Sequence, residues 1–250
     1  FGAHVSELRV RLADNSIVEC SATEHEDLFY GCIGGMGLLG HILEVEFVLH
    51  RIPSQWIWME RERVHDIDAY LASLTRAASV WPMTMGWIDC VHRGSSMGRG
   101  VLMAGRWATA AEAPESPPRV KADKVVPIEF PNWAVNPVTV GLFNATYYWS
   151  HVRRVVSKVM SPEPFFFPLD SLLEWNKGYG SRGFTQYQCV VPRAAGAPAV
   201  REFMDRLTKL GGASPLCVIK DCGPEGKGTL SFPLEGTSIA VDMPVTADTQ

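Results

Sequence analysis

The sequence predicts an α+β fold built on an antiparallel sheet, and three observations carry that prediction. Strand-like segments come in pairs joined by short turn-rich connections, as between Met85–Val91 and Gly100–Trp107, with Arg93 to Gly98 between them. Helical periodicity appears only in isolated places, without the regular strand-helix alternation that a parallel sheet requires. The 250 residues, 46% of them hydrophobic, suffice for a sizeable core in one large or two small domains.

In order, Val5 to Arg11 alternates apolar and charged residues, Ala13 to Ser16 is a turn cluster, and Ile17 to Cys20 resumes the alternation, which predicts a β-hairpin. Thr23 precedes Glu26 by three residues, a capping-box spacing for a short helix through Leu28 and Phe29 that ends before Gly31. A glycine-rich turn, Gly34-Gly35-Met36-Gly37-Leu38-Leu39-Gly40, leads into His41–Arg51, whose apolar run predicts a buried strand bounded by Pro53. Gly35, Gly37 and Gly40 have Gly-x-Gly-x-x-Gly spacing, but they follow a helix and open a strand. A dinucleotide fingerprint has the reverse order, so a nicotinamide fold is disfavoured.

A second unit begins after Pro53, with a strand over Trp56 to Glu60 and a helix whose Ile67, Tyr70, Leu71 and Leu74 share one face. Ala108 to Lys124, rich in Ala, Pro, Glu and Lys, reads as an exposed loop. Asn144 to Met160 is expected to be helical, with Val152, Val155, Val156 and Val159 in one stripe. Phe184 to Pro192 reads as a strand, Pro198 to Leu210 as an amphipathic helix stopped by Gly211-Gly212, and Leu216–Lys220 and Ser238–Met243 as two further strands.

Composition excludes several classes. The net charge is −4 and the 23 basic residues form no extended run, which disfavours a nucleic-acid surface. Apolar stretches are interrupted well short of the ~20 residues a bilayer span needs, although an apolar mouth can visit a membrane surface without crossing it. Six cysteines without a Cys-x-x-Cys pair fit reduced thiols and a cytoplasmic setting, and the seven histidines show no metal-ligand spacing. No Gly-x-Ser-x-Gly nucleophile elbow is present.

The segment most suggestive of chemistry is Phe184-Thr185-Gln186-Tyr187-Gln188-Cys189. Residues two apart on a strand share a face, so Gln186 and Gln188 place two amides side by side on an otherwise apolar strand. A solvated sheet face is the plain reading of such a pair. A binding face is the alternative. Lys220, closing the apolar run Leu216 to Ile219, is either a lysine reaching solvent or a partly desolvated one with a lowered pKa. Trp87 and Phe166 fit either pocket lining or core.

Pro168-Leu169-Asp170, Glu174-Trp175-Asn176, Tyr179-Gly180 and Gln186-Tyr187-Gln188, with the Gly34 to Gly40 turn upstream and Lys220, Gly223-Pro224, Leu230 to Pro233 and Val241-Asp242 downstream, form a collinear series. This series resembles the vanillyl-alcohol-oxidase type of FAD-linked oxidases, in the branch that oxidises decaprenylphosphoryl-ribose. The resemblance implies that residues 1–53 are the end of a PCMH-type FAD-binding domain and 54–250 a substrate or cap domain, with a large antiparallel sheet flanked by helices. It implies FAD as cofactor, Gly37, Gly40 and Ile42 on the cofactor side, and Trp87, Phe166, Gln186, Gln188, Ser238 and Ala240 at the substrate, with Lys220 as base or oxyanion partner. The implied reaction is hydride transfer from a hydroxyl of a sugar or lipid-linked sugar to the flavin, with the electron acceptor unassigned.

Two departures stand out. Thr237-Ser238-Ile239-Ala240 replaces a Trp-Asn-Ile-Cys series, which removes a thiol, and Phe166 stands where a tyrosine is expected. The family's pyrophosphate-binding loop corresponds to sequence before Phe1 and a second lysine to sequence beyond Gln250, so the chain reads as a fragment expected not to hold FAD alone. An aldonolactone or alditol oxidase on the same scaffold, and a non-catalytic cap acting as a binding module, are the alternatives.

Overall fold

A computed structural model describes residues 2–119, 124–210 and 214–245. The chain divides into two compact units, one comprising residues up to Arg51 together with Cys222–Gly236, the other beginning at Ile52 and taking in the remainder. The break after Arg51 lies two residues before the expected one. The return of Cys222–Gly236 to the first unit was not anticipated, because that segment carries few apolar residues to mark where it packs.

In the first unit, β1 (Val5–Arg11) pairs antiparallel with β2 (Ile17–Ser21) and with β3 (His41–Phe47), giving the order β2-β1-β3. Leu8, Val10 and Cys20 are buried with Phe29 of α1 (Glu26–Cys32). The expected capping box does not form. Ser21 Oγ takes the Thr23 and Glu24 amides at 3.3 and 3.2 Å, and His25, with φ 49°, is the N-cap without a side-chain bond. The helix also runs past Gly31. β3 is present but not buried, since it is an edge strand with every residue exposed, including Ile42, Val45 and Phe47. Gly228 approaches Ile33 so closely that a Cβ would lie 2.2 Å from its carbonyl oxygen, and Thr229 N donates to Tyr30 O at 3.1 Å.

The second unit is built on a seven-stranded sheet. Its strands are β4 (Ile57–Val64), β5 (Met83–Ile88), β6 (Gly100–Trp107), β8 (Val155–Met160), β10 (Phe184–Pro192), β11 (Cys217–Cys222) and β12 (Gly236–Pro244), in the order β10-β12-β11-β5-β6-β4-β8. The β11–β5, β5–β6, β6–β4 and β4–β8 pairs are antiparallel. β7 (Lys124–Val125) and β9 (Leu172–Leu173) form a separate short parallel pair.

One face of the large sheet is covered by α2 (Ile67–Val80) and α5 (Gly196–Leu210). Asp66 caps α2 by accepting the Ala69 amide at 2.8 Å, which fixes the phase that turns Ile67, Tyr70, Leu71, Leu74 and Ala77 inward. Val200, Met204 and Leu207 of α5 join them, and all pack on Ile88, Leu102, Ile219, Ile239 and Val241. The glycine stop foreseen for α5 at 211–212 lies outside the described residues.

α3 (Pro137–Ser150) differs from expectation at both ends. It starts seven residues early because Asn136 accepts the Val138 and Thr139 amides while the Thr139 hydroxyl takes the Asn136 amide, a capping box with proline at the first helical position. It stops at Ser150. Of the valines read as a helical stripe, Val155, Val156 and Val159 instead lie on β8, where β-branched residues suit the pleated edge beside β4, and Val152 precedes that strand. α4 (Glu163–Phe166) is a single turn.

Tyr70 lies flat on the sheet, where its hydroxyl donates to Val101 O at 3.3 Å, and only glycine leaves it room: a Cβ on Gly86 would sit 1.8 Å from that hydroxyl. Gly86→Ala is expected to lower unfolding free energy by about 2 kcal/mol, as overpacking does. Urea denaturation of the two forms measures this, and an unchanged midpoint would remove Tyr70 from this position.

Candidate functional site

The opposite face of the large sheet brings together most of the residues nominated by sequence. Because Ile239 and Val241 of β12 enter the helix-covered core, Ser238, Ala240 and Asp242 must project the other way. On the neighbouring β10, Val191 packs against the core and Tyr187 stacks on Phe203 of α5 at 6.3 Å, which turns Gln186 and Gln188 to the same side as Ser238 and Asp242. Next, β11 buries Cys217 and Ile219 in the core and presents Val218 and Lys220, and Val218 is directly opposite Trp87 of β5. Gln186, Gln188, Ser238, Ala240, Lys220 and Trp87 thus share one face over four adjacent strands.

Both glutamines are bonded to β12. Gln186 Nε2 donates to Asp242 Oδ1 at 2.6 Å and Gln188 Nε2 to Ser238 Oγ at 3.0 Å. With Nε2 of Gln186 donating to Asp242, its carbonyl oxygen faces away from that carboxyl. The Gln188 amide has the same orientation. The outcome is a pair of carbonyl acceptors on an exposed face, with the small Ala240 between their anchors.

Behind these amides lies a buried polar network that the sequence reading did not nominate. Asp89, 1% exposed, takes the Arg99 Nε at 3.0 Å, the Asn144 Nδ2 at 2.9 Å and the Val91 and His92 amides at 3.1 and 3.3 Å. The Arg99 guanidinium lies 4.8 Å from the centre of the Tyr148 ring. Among the described residues, two buried oxygens nearby, Asp242 Oδ2 and Asn144 Oδ1, have no hydrogen-bond partner, and the buried Tyr179 hydroxyl has Ser214 as a polar neighbour, beyond full hydrogen-bond geometry. Burial, with the Asp242 carboxylate adding to it, holds the Tyr179 phenol above its usual range. Burial likewise raises the Asp242 carboxyl, against a smaller opposing effect of the Gln186 bond. The sequence signal for this network was a charge inside an apolar run, Trp87-Ile88-Asp89-Cys90-Val91, with Arg99 ten residues on.

The remaining nominated residues fall differently. Trp87 is buried, donating from Nε1 to Pro215 O at 2.9 Å and meeting Tyr147 edge-on at 4.8 Å, so it is a wall of the face with no free polar atom. Phe166 packs at the far end of the sheet with Phe165 and Trp107, against Ile57 and Met59, apart from the glutamines. Lys220 is exposed on β11, as in the reading of a lysine that reaches solvent, while Cys217 and Ile219 of the same strand enter the core on the other face. In the first unit, Gly37 has φ 73° with open space where a Cβ would stand, and Ile42 is exposed on β3. Gly40 is explained by packing, since a Cβ there would lie 2.5 Å from Arg11 O.

A groove of about 600 Å³ runs between α2, α5 and the end of β10, but its lining, including Leu71, Val191 and Val200, belongs to the helix-covered face. Among the described residues no group of three His, Cys, Asp or Glu side chains is placed to hold a metal.

No family model matches the chain. It is similar to a decaprenylphosphoryl-beta-D-ribose oxidase of Mycolicibacterium smegmatis, with 29% identity over 259 residues covering 99% of this chain and 55% of that protein. The chain therefore spans about half the length of that relative. Among solved structures, chitooligosaccharide oxidase superposes with a TM-score of 0.57 at 13% identity, over 98% of this chain and 50% of the other. The wild-type BBE-like 1 protein of Physcomitrella patens gives 0.57 at 11% identity, over 99% and 51%. The resemblance read from the Gln-Tyr-Gln and Glu-Trp-Asn series is borne out, and the mixed fold with its large antiparallel sheet is that of these structures.

The raised Asp242 carboxyl has a definite sign in stability. A folded pKa above the unfolded value means that the group's contribution is fully present below the unfolded pKa of about 3.9 and is lost as pH rises through the folded value. Asp242→Asn is thus expected to be more stable than the parent chain at pH 7, with the difference vanishing below about pH 4. Urea midpoints of both proteins across that range test it, and a variant that is less stable at pH 7 would show that the carboxylate is not strained by burial.

Proposed function

We propose that this chain supplies the substrate-side sheet of an FAD-dependent oxidoreductase that oxidises a hydroxyl of a sugar or polyprenyl-phosphate sugar. The observation that carries this reading is the orientation of Gln186 and Gln188. With their nitrogens held by Asp242 and Ser238, their carbonyl oxygens accept hydrogen bonds, and a polyol offers hydroxyl donors at matching short intervals. The relation to the mycobacterial oxidase, although over half its length, supports the reaction class.

The residues present fit such a role unequally. Asp242 Oδ2, without a partner among the described residues, is a polar atom in need of one behind the acceptor pair. The exposed ammonium of Lys220 stands two strands from Gln186, on the same face, where it would stabilise negative charge developing on a substrate oxygen. Trp87, fixed through its indole nitrogen, closes the apolar side. On the cofactor side, Gly37 and Ile42 leave room for a ligand, whereas Gly40 is already required by its neighbour Arg11. FAD, when bound, accepts the hydride. The protein's contribution is to orient the carbinol and to hold the oxygen from which the proton departs.

Flavin absorbance of the complete protein, followed during addition of candidate sugars, tests this. Bleaching of the oxidised flavin by a sugar is expected. Gln186→Leu and Gln188→Leu should each lower kcat/KM by roughly ten-fold or more, and Lys220→Met should lower kcat by about a hundred-fold with the flavin still bound. A complete protein without flavin would overturn the oxidoreductase reading and leave a binding module.

A further inference from the structure

Helix α3 carries no charged side chain from Pro137 to Ser150, yet one side of the helix faces solvent. A surface helix ordinarily sets charged residues opposite its buried stripe. Here Val140, Asn144 and Tyr148 are buried, while Val138, Leu142 and Trp149, which fall within about 40° of one another around the axis, are 79, 71 and 58% exposed. Just before and just after the helix, Trp133 and Val152 are likewise 74 and 78% exposed. This is too large a set of neighbouring apolar groups to be incidental.

The charge around this patch has one sign. Between Glu129 and Glu163 the sequence contains no Asp or Glu, whereas Arg153, Arg154 and Lys158 lie just after the helix, and all three are exposed. Arg63 joins them across space, its guanidinium 4.7 Å from the centre of the Trp149 ring. Glu62 meets Arg154 at 3.5 Å but is itself buried and bonded to Arg76 at 2.6 Å, which leaves Arg153 and Lys158 without a carboxylate in reach among the described ion pairs. Exposed tryptophans beside aliphatic side chains, rimmed by cations, match the interface of a bilayer whose headgroups are anionic. No helix among the described residues is long and apolar enough to cross a membrane, so such contact would be parallel to the surface.

We propose that the solvent face of α3 docks on an anionic lipid bilayer, with Leu142 and Trp149 entering the headgroup boundary and Arg153 meeting the lipid phosphates. This is independent of the flavin reading, since it needs neither the cofactor nor the glutamine face.

The test is sedimentation of the complete protein with vesicles of phosphatidylcholine alone and of phosphatidylcholine with 30% phosphatidylglycerol. Binding to the anionic vesicles at least ten-fold stronger than to the neutral ones, weakening with salt, is expected. Arg153→Glu should reduce it roughly five-fold, and the double variant Leu142→Ser, Trp149→Ser should abolish it with the circular dichroism spectrum of the folded protein retained. Loss of the protein's tryptophan quenching by brominated lipid in Trp149→Phe would identify the inserted ring. Three results would overturn the proposal: equal or absent binding to the two vesicle types, a dimer dispersed by the same double substitution, or a Trp149 shielded from acrylamide in the complete protein without lipid, which would mean that its own chain covers the face.

Discussion

The arrangement of the second unit depends on the burial of Ile239 and Val241 beneath α2 and α5. A strand has a period of two, so committing these residues to the core commits Ser238, Ala240 and Asp242 to the other face, and a slip of one residue would exchange the two sets. The same constraint acts on β10 and β11, where Val191 and Ile219 face the core, and Gln186, Gln188 and Lys220 are displayed in consequence. The polar face is therefore held in register by apolar residues that never touch it.

This coupling explains which parts of the molecule were legible in the sequence. The shared face of Gln186 and Gln188 followed from spacing alone, as did the inward faces of α2 and α5, because strand and helix periods act locally. Their bonds to Asp242 and Ser238 did not, since they depend on β10 and β12 being neighbours across 50 or more residues. The Asn144–Met160 segment failed for a related reason. Valines at helical spacing also alternate acceptably along a strand, and the edge position beside β4, together with the cap at Asn136, decided between the two. Likewise the apolar content of β3 was read correctly, but its burial was not, because burial is a property of what lies beside a strand.

Asp89 shows a second principle at work behind the site. Removing a carboxylate from water is expensive, and its attraction to Arg99 offsets this only with further bonds. Here they are supplied by Asn144 and two backbone amides, which ties α3 to the end of β5. An apolar replacement of similar volume could be as stable. The ion pair does more than an apolar contact would, because directional bonds fix the rotation of α3 about its axis, and that rotation determines both the wall that Tyr147 makes against Trp87 and the outward aim of Trp149.

Asp242 and Asp89 illustrate opposite solutions to the same problem. Asp89 is saturated with donors, whereas Asp242 receives one from Gln186 and retains an unpartnered oxygen under a raised carboxyl pKa. A saturated carboxylate holds structure and has nothing left to offer. An unsaturated one, buried directly behind an exposed amide, transmits any change in its charge to the orientation of that amide: once protonated, its oxygen becomes a donor and competes for the Gln186 carbonyl instead of its nitrogen. The acceptor character of the face is thus conditional on the ionisation of Asp242, while Gln188, anchored by a hydroxyl that can donate or accept, does not share that condition.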